Sequence, residues 1–295
     1  MNADDGRAGI DVALVRRLLE QQFPQWAGLD LRPVAQDGWD NRTYRLGDEL
    51  TVRLPTAEWY VEAVAKENRW LPWLAPRLPL PIPQIAGAGV PSESYPYPWS
   101  VRRWLDGETA TAERVTDPVT FARDLAGFLN RLRELDTTDG PLAGPHCFWR
   151  GASLEHYDAE TRRCAAELGE LIDVHQALKI WDDALAATHQ GQPVWFHGDV
   201  AEGNLLVDGG KLCAVIDFGT CGVGDPACDL VIAWTLLRGE GRAAFTATVD
   251  ADDAMWARAR GWALWKELLE LTENPAPDAV PVSLARGTLG QVLPD

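Results

Sequence analysis

Residues 195–230 read WFHGDVAEGNLLVDGGKLCAVIDFGTCGVGDPACDL, and most of the chemistry legible in the chain lies there. Two short apolar runs, Val194-Trp195-Phe196 and Leu205-Leu206-Val207, flank a polar loop that carries His197, Asp199 and Asn204. Asp208-Gly209-Gly210 then supplies a hairpin turn into the strand-like run Leu212 to Ile216, which ends on Asp217-Phe218-Gly219. The stretch therefore predicts a loop seated on a sheet, followed by a carboxylate delivered at the end of a strand. A surface hairpin with incidental acids needs neither the loop spacing nor the second carboxylate.

His197 to Asn204 fits the pattern H-x-D-x-x-x-x-N. Phosphoryl transfer requires a group that positions the attacking hydroxyl and takes its proton, and separate oxygen ligands that hold metal on the nucleotide phosphates. Asp199 suits the first task, and Asn204 and Asp217 the second.

These motifs, with Gly224-Asp225-Pro226-Ala227-Cys228-Asp229-Leu230 after them, resemble the aminoglycoside phosphotransferase family, small-molecule relatives of the protein kinases. The resemblance runs from about Asp37 to the last helices. It implies an α+β, bilobal protein-kinase-like fold, with an antiparallel-sheet N-lobe over residues 1–105 and a mainly helical C-lobe over residues 106–295. It also implies transfer of the γ-phosphate of ATP, or of GTP, with Mg²⁺, to a hydroxyl of a small molecule such as an aminoglycoside or another antibiotic. His197 then becomes a buried strut of the loop, and Asp229 its brace through backbone amides.

Upstream, Asp11 is placed to cap a helix whose Val12, Leu14, Val15, Leu18 and Leu19 share one face and which stops before Pro24. From Leu31 to Leu54 short alternating runs broken by turn residues predict successive antiparallel strands. By resemblance the turn Gly38-Trp39-Asp40-Asn41 covers the nucleotide phosphates, which makes Asn41 a contact candidate, although it has a single glycine where a protein kinase has three. The strand Leu50 to Leu54 carries Arg53 where the family has a lysine. Arginine keeps the charge but presents a planar fork of different reach. A helix over about 57–74 places Glu67 where that cation's ion-pair partner is expected. Leu78 to Pro83, with three prolines, predicts an extended crossing. The strand Trp99 to Leu105 leads, by resemblance, into a hinge where the Arg103 carbonyl and the Leu105 amide meet the purine.

Beyond Gly107 the periodicity becomes helical, with a clear stripe of Phe121, Leu125, Phe128, Leu129 and Leu132. Helices follow over about 155–188 and 254–271, and then a tail broken by Pro275, Pro277 and Pro281. The resemblance implies an acidic lining for the acceptor, and Glu202, Glu267 and Glu270 are the candidates for it.

The 27 basic and 44 acidic residues give a net charge of -17, which disfavours nucleic acid and anionic membranes and suits a cationic partner. Five cysteines without a C-x-x-C pair predict reduced, buried thiols rather than a disulfide framework or a zinc site. With no apolar run long enough to cross a bilayer, the expectation is a cytoplasmic protein. Two other readings stay open: a housekeeping kinase for choline, an amino alcohol or a sugar, and a nucleotide-binding pseudoenzyme, to which Arg53 and the glycine-poor turn point.

Overall fold

Asp11 opens the fold by accepting a hydrogen bond from Leu14 N at 2.7 Å, which caps α1 (Val12–Gln22). The computed structural model describes residues 9–35, 37–38, 40–273 and 280–294. It divides into two compact units, one made of the described residues up to Asp106 with Ala214–Gly219, the other of Gly107–Cys213 with the described residues from Thr220 onward.

In the first unit, α1 is followed by β1 (Leu31–Pro33), β2 (Asn41–Leu46), β3 (Leu50–Pro55), α2 (Val61–Leu74), β4 (Ile85–Gly89) and β5 (Trp99–Arg103). The strands form one antiparallel sheet in the order β1-β2-β3-β5-β4. Alternation along the strands divides its residues between two faces of opposite character. Tyr44, Leu46, Leu50, Val52, Leu54, Trp99 and Val101 pack in one core with Leu14, Val15, Leu18 and Leu19 of α1. The other face carries the charges: Thr43 pairs with Arg53, Arg53 with Ser100, and Thr51 with Arg102, so all five point the same way. Strand β4, whose glycines give little alternation, was not evident in the sequence.

The second unit contains β6 (Glu108–Thr109), α3 (Pro118–Arg133), α4 (Asp158–Glu167), α5 (Val174–Ala186), β7 (Val194–Phe196), β8 (Leu205–Asp208), β9 (Lys211–Val215), β10 (Gly222–Gly224), α6 (Ile232–Thr235), α7 (Gly239–Thr248), α8 (Asp253–Glu273) and α9 (Val280–Val292), the last two residues of β9 being counted with the first unit. Asp117 caps α3 through Val119 N and Thr120 N, with Pro118 in the first turn where its missing N–H costs nothing. The predicted stripe of α3 is buried and packs on α7, while α8 is flanked by α5 and α9.

Two small sheets hold the loop that carries Asp199. β8 lies between β6 and β9, joined to β9 by Gly209 and Gly210, both at positive φ as a two-residue hairpin turn requires. β7 pairs with β10 and not with β8. The segment after α8 is not simply a proline-broken tail, because α9 follows it, and Pro281 sits in the first turn of α9, where proline is tolerated. Pro275 and Pro277 lie outside the described residues.

Candidate active site

The loop from His197 to Asn204 is suspended from one buried carboxylate. Asp229 Oδ2 accepts from His197 N at 3.0 Å and Asp229 Oδ1 from Gly198 N at 2.7 Å. Both Asp229 and His197 are 0% exposed. Burial pushes the Asp229 carboxyl above the ordinary aspartate range, although His197 and the two amides pull the other way. His197 Nδ1 accepts from Asp199 N at 3.2 Å, and Thr220 Oγ1 donates to His197 O at 3.1 Å, so the ring and its peptide are fixed as struts. Gly198 has φ +88°, and a Cβ there would lie 2.6 Å from Thr220 O. Only glycine fits that turn.

The loop presents Asp199 with both carboxylate oxygens engaged. Asn204 Nδ2 donates to Asp199 Oδ2 and to Asp199 O, each at 2.9 Å, and Lys266 Nζ reaches Asp199 Oδ1 at 3.1 Å. Burial alone would raise this carboxyl, but Lys266, Arg150 and His197 outweigh it and hold its pKa below the ordinary value. Asp199 is therefore ionised at neutral pH and can accept a hydrogen bond from an incoming hydroxyl. With the amide nitrogen of Asn204 committed to Asp199, its Oδ1 is left as the oxygen for a metal. Gly198, Asp199 and Val200 line a recess with Arg150, Cys228, Val231, Trp262, Trp265 and Lys266.

The first unit holds the cations on the charged face of the sheet. Arg53 Nη2 lies 3.8 Å from Asp40 Oδ2 and 3.8 Å from Asp217 Oδ1, and its Nη1 lies 3.9 Å from Glu67 Oε1. Those are ionic distances, too long for hydrogen bonds. Burial would lower the Arg53 pKa, but Asp217, Glu67 and Asp40 together raise it. The hydrogen-bonded partner of Glu67 is Arg102, whose Nη1 and Nη2 meet the two carboxylate oxygens at 2.9 and 2.8 Å while its Nε reaches Ser100 Oγ at 2.9 Å. Against the upward push of burial, Arg102 and Arg53 hold the Glu67 carboxyl down to about 2. The ion pair expected between Arg53 and Glu67 is thus the looser of two, and it leaves the Arg53 fork uncommitted.

Asp217 follows β9 with φ +66°, a left-handed conformation unusual for any residue but glycine. Gly219 N donates to Asp217 Oδ1 at 3.3 Å, and the buried Lys66 donates to Gly219 O at 2.7 Å, so the turn is held from both sides. A carboxylate at Asp217 and an amide oxygen at Asn204 are hard donors of the kind Mg²⁺ takes. Among the described residues no three His, Cys, Asp or Glu side chains form a metal cluster. An ion that completes its shell with phosphate and water oxygens needs none.

Asn41 is buried on the same face of β2 as Thr43, and its Oδ1 lacks a hydrogen-bond partner. Arg103 turns its side chain outward to Glu49 at 3.1 Å, and its N–H is used by Gln84 O. Leu105 is partly exposed. Glu202 stands in the short turn Glu202–Asn204, with its carboxyl raised first by burial. Glu267 is only 6% exposed, raised to about 7 mainly by burial, and neither it nor Glu270 lines the recess. Instead α8 turns Trp262, Trp265 and Lys266 toward Asp199, residues three and four apart on one face. That spacing was present in the sequence, as was the strand parity that puts Arg102 beside Ser100. Arg150, in a loop, had no periodic signal.

A model of the phosphotransferase enzyme family matches residues 30–262. No curated protein matches the sequence. Among solved structures, the GDP complex of a point mutant of aminoglycoside 2′-phosphotransferase-IIIa aligns with a TM-score of 0.75 at 18% identity, covering 96% of this chain and 97% of that one. The GDP and kanamycin complex of APH(2″)-IIIa aligns with a TM-score of 0.71 at 17% identity, covering 94% and 97%. The apoenzyme of a macrolide 2′-phosphotransferase from Brachybacterium faecium aligns with a TM-score of 0.59 at 22% identity, covering 97% and 99%. These likenesses establish a shared α+β, protein-kinase-like fold.

Proposed function

Since the chain belongs to the phosphotransferase enzyme family, we propose that it moves the γ-phosphate of ATP or GTP to a hydroxyl of a small molecule. The observation that carries this reading is Asp199: an ionised carboxylate at the edge of a recess, fixed by Asn204 on one oxygen and by Lys266 on the other. The acceptor oxygen forms a bond to the γ-phosphorus as the bond to the β–γ bridging oxygen breaks. The nucleoside diphosphate leaves with that electron pair, and the hydroxyl proton passes to Asp199. The proton moves late, when the hydroxyl has become acidic, so a carboxylate of lowered pKa suffices.

Asn204 and Asp217 would hold Mg²⁺, which neutralises phosphate charge when bound. Arg53, with no hydrogen-bonded carboxylate of its own, is free to turn its fork to phosphate oxygens, and Arg102 keeps Glu67 neutralised meanwhile. This division of labour supports an active kinase over a pseudoenzyme that has lost its lysine. Asn41, the Arg103 carbonyl and the Leu105 amide are the remaining proposed nucleotide contacts. The test is incubation with Mg²⁺ and ATP or GTP against hydroxyl compounds of every charge class, read by the mass gain of one phosphoryl group. Nucleotide-dependent product supports the proposal. A protein that binds neither nucleotide in the presence of Mg²⁺ refutes it.

A further inference from the structure

The recess at Asp199 has a charge opposite to that of the chain. Its lining contains two cations, Arg150 and Lys266, and one carboxylate, Asp199, in a protein whose net charge is -17. Arg150 has no carboxylate within 4 Å among the described residues. Its guanidinium lies 4.5 Å from the ring centre of Trp265 and 5.4 Å from that of Trp262. These aromatic faces hold the cation without neutralising it. Its Nη1 is buried and makes no hydrogen bond, which is costly for a charged donor.

The backbone around Arg150 is held at a further cost. Phe148 and Trp149 sit at φ +49° and +56°, and Gly151 at +73°. Bulky side chains in left-handed conformations are strained and persist where the surroundings over-determine them. A Cβ at Gly151 would lie 2.1 Å from the Phe196 ring. The loop thus brings Arg150 to this wall of the recess.

We propose that the acceptor is an anionic hydroxyl compound, a hydroxy acid in the broad sense, whose carboxylate or other oxyanion is bound by Arg150 and Lys266. This rests on the phosphotransferase reading and deepens it. The acceptor anion gives Arg150 a counter-ion and Lys266 a second one. Lys266, with its side chain 40% exposed, can then leave Asp199 Oδ1, and that oxygen becomes available to the acceptor hydroxyl. A polycation meets like charge at both Arg150 and Lys266. The acids expected to welcome it are not on this wall: Glu267 is buried, and neither Glu202 nor Glu270 lines the recess.

The probes are three hydroxy acids, mandelate, 3-phenyllactate and gluconate, each with its neutral amide, and kanamycin as the polycation. Binding to the full chain is followed by calorimetry and by tryptophan fluorescence, since Trp262 and Trp265 line the recess. At least one acid should bind tenfold or more tighter than its own amide, as expected for a charge-assisted contact. Arg150→Met and Lys266→Met, which keep the side-chain stem, should each remove that preference while leaving amide binding within about twofold. Lys266 is exposed enough to keep the test readable if Arg150→Met does not fold. No preference in any of the three pairs, tighter binding of kanamycin than of every acid, or a preference unchanged in Lys266→Met would overturn the proposal. Cations serving only the transferring phosphoryl group would also give equal binding of acid and amide. Nucleotide binding in the presence of Mg²⁺, measured in parallel, shows separately whether the phosphotransferase reading stands.

Discussion

Arg102→Leu separates the structural cation of the first unit from Arg53, the one proposed to meet phosphate. Arg102 and Glu67 are each about 2% exposed at the side chain and joined by a two-pronged ion pair at 2.8 and 2.9 Å. Replacing the arginine leaves the Glu67 carboxylate buried, with Arg53 at 3.9 Å as its nearest remaining ion-pair partner. Breaking one side of such a pair costs roughly 3–5 kcal/mol. At about 2–4 °C per kcal/mol for domains of this size, the melting temperature should fall by on the order of 10 °C. The pH dependence carries the diagnosis. The folded-state pKa of Glu67 is depressed from 4.5 to about 2, so its contribution is present above pH 4.5 and is lost as pH falls toward 2. In the variant the uncompensated carboxyl takes up a proton at higher pH, so the gap between the two proteins should narrow as the solution is acidified from pH 7 to pH 5. Urea melts at a series of pH values measure this directly. A gap below about 1 kcal/mol at pH 7, or one that does not change with pH, would show that Arg102 is not the counter-ion on which Glu67 depends.

Arg53→Ala should lower kcat/KM for nucleotide by a factor on the order of ten to a thousand, with Arg53→Lys less damaging; unchanged kinetics in the alanine variant would remove Arg53 from the phosphates. Asp217→Ala should abolish the tightening of nucleotide binding by Mg²⁺, seen by calorimetry with and without the ion, and normal tightening would misplace the metal ligand. Glu267 is raised from 4.5 to about 7 in the fold, so the stability it carries is present below pH 4.5 and is lost as pH rises through 7. Glu267→Gln should therefore gain up to about 3 kcal/mol relative to wild type at pH 8 and little at pH 4.5, as read by urea melts, and a pH-independent difference would contradict the burial argument.

The loop and the strand-borne Asp217 were legible because the function proposed for them needs fixed residue types at fixed spacing, and hairpin glycines and apolar runs mark the sheet around them. Helix α1 was legible to its capping Asp11, and α3 from its stripe, since both are amphipathic over several turns. What the sequence concealed were partnerships. Arg53 and Arg102 are both arginines on adjacent strands, and pairing register alone decides which of them meets Glu67. On α8 a rotation of one residue separates Lys266, beside Asp199, from Glu267 in the interior, and net charge could not tell the two apart. Arg150 comes from an irregular loop whose conformation is imposed by tertiary packing, so no local pattern announces it.

The most direct test of the account is turnover and nucleotide affinity measured side by side in Asp199→Asn. Asparagine preserves the hydrogen bond from Asn204 but cannot accept the hydroxyl proton, and loss of a positioned base costs on the order of a hundredfold to ten-thousandfold in rate. Phosphoryl transfer to any accepted hydroxyl compound should fall by that factor while nucleotide affinity in the presence of Mg²⁺ stays within about twofold of wild type. Undiminished turnover in the variant, or a loss of nucleotide binding equal to the loss of rate, would contradict it.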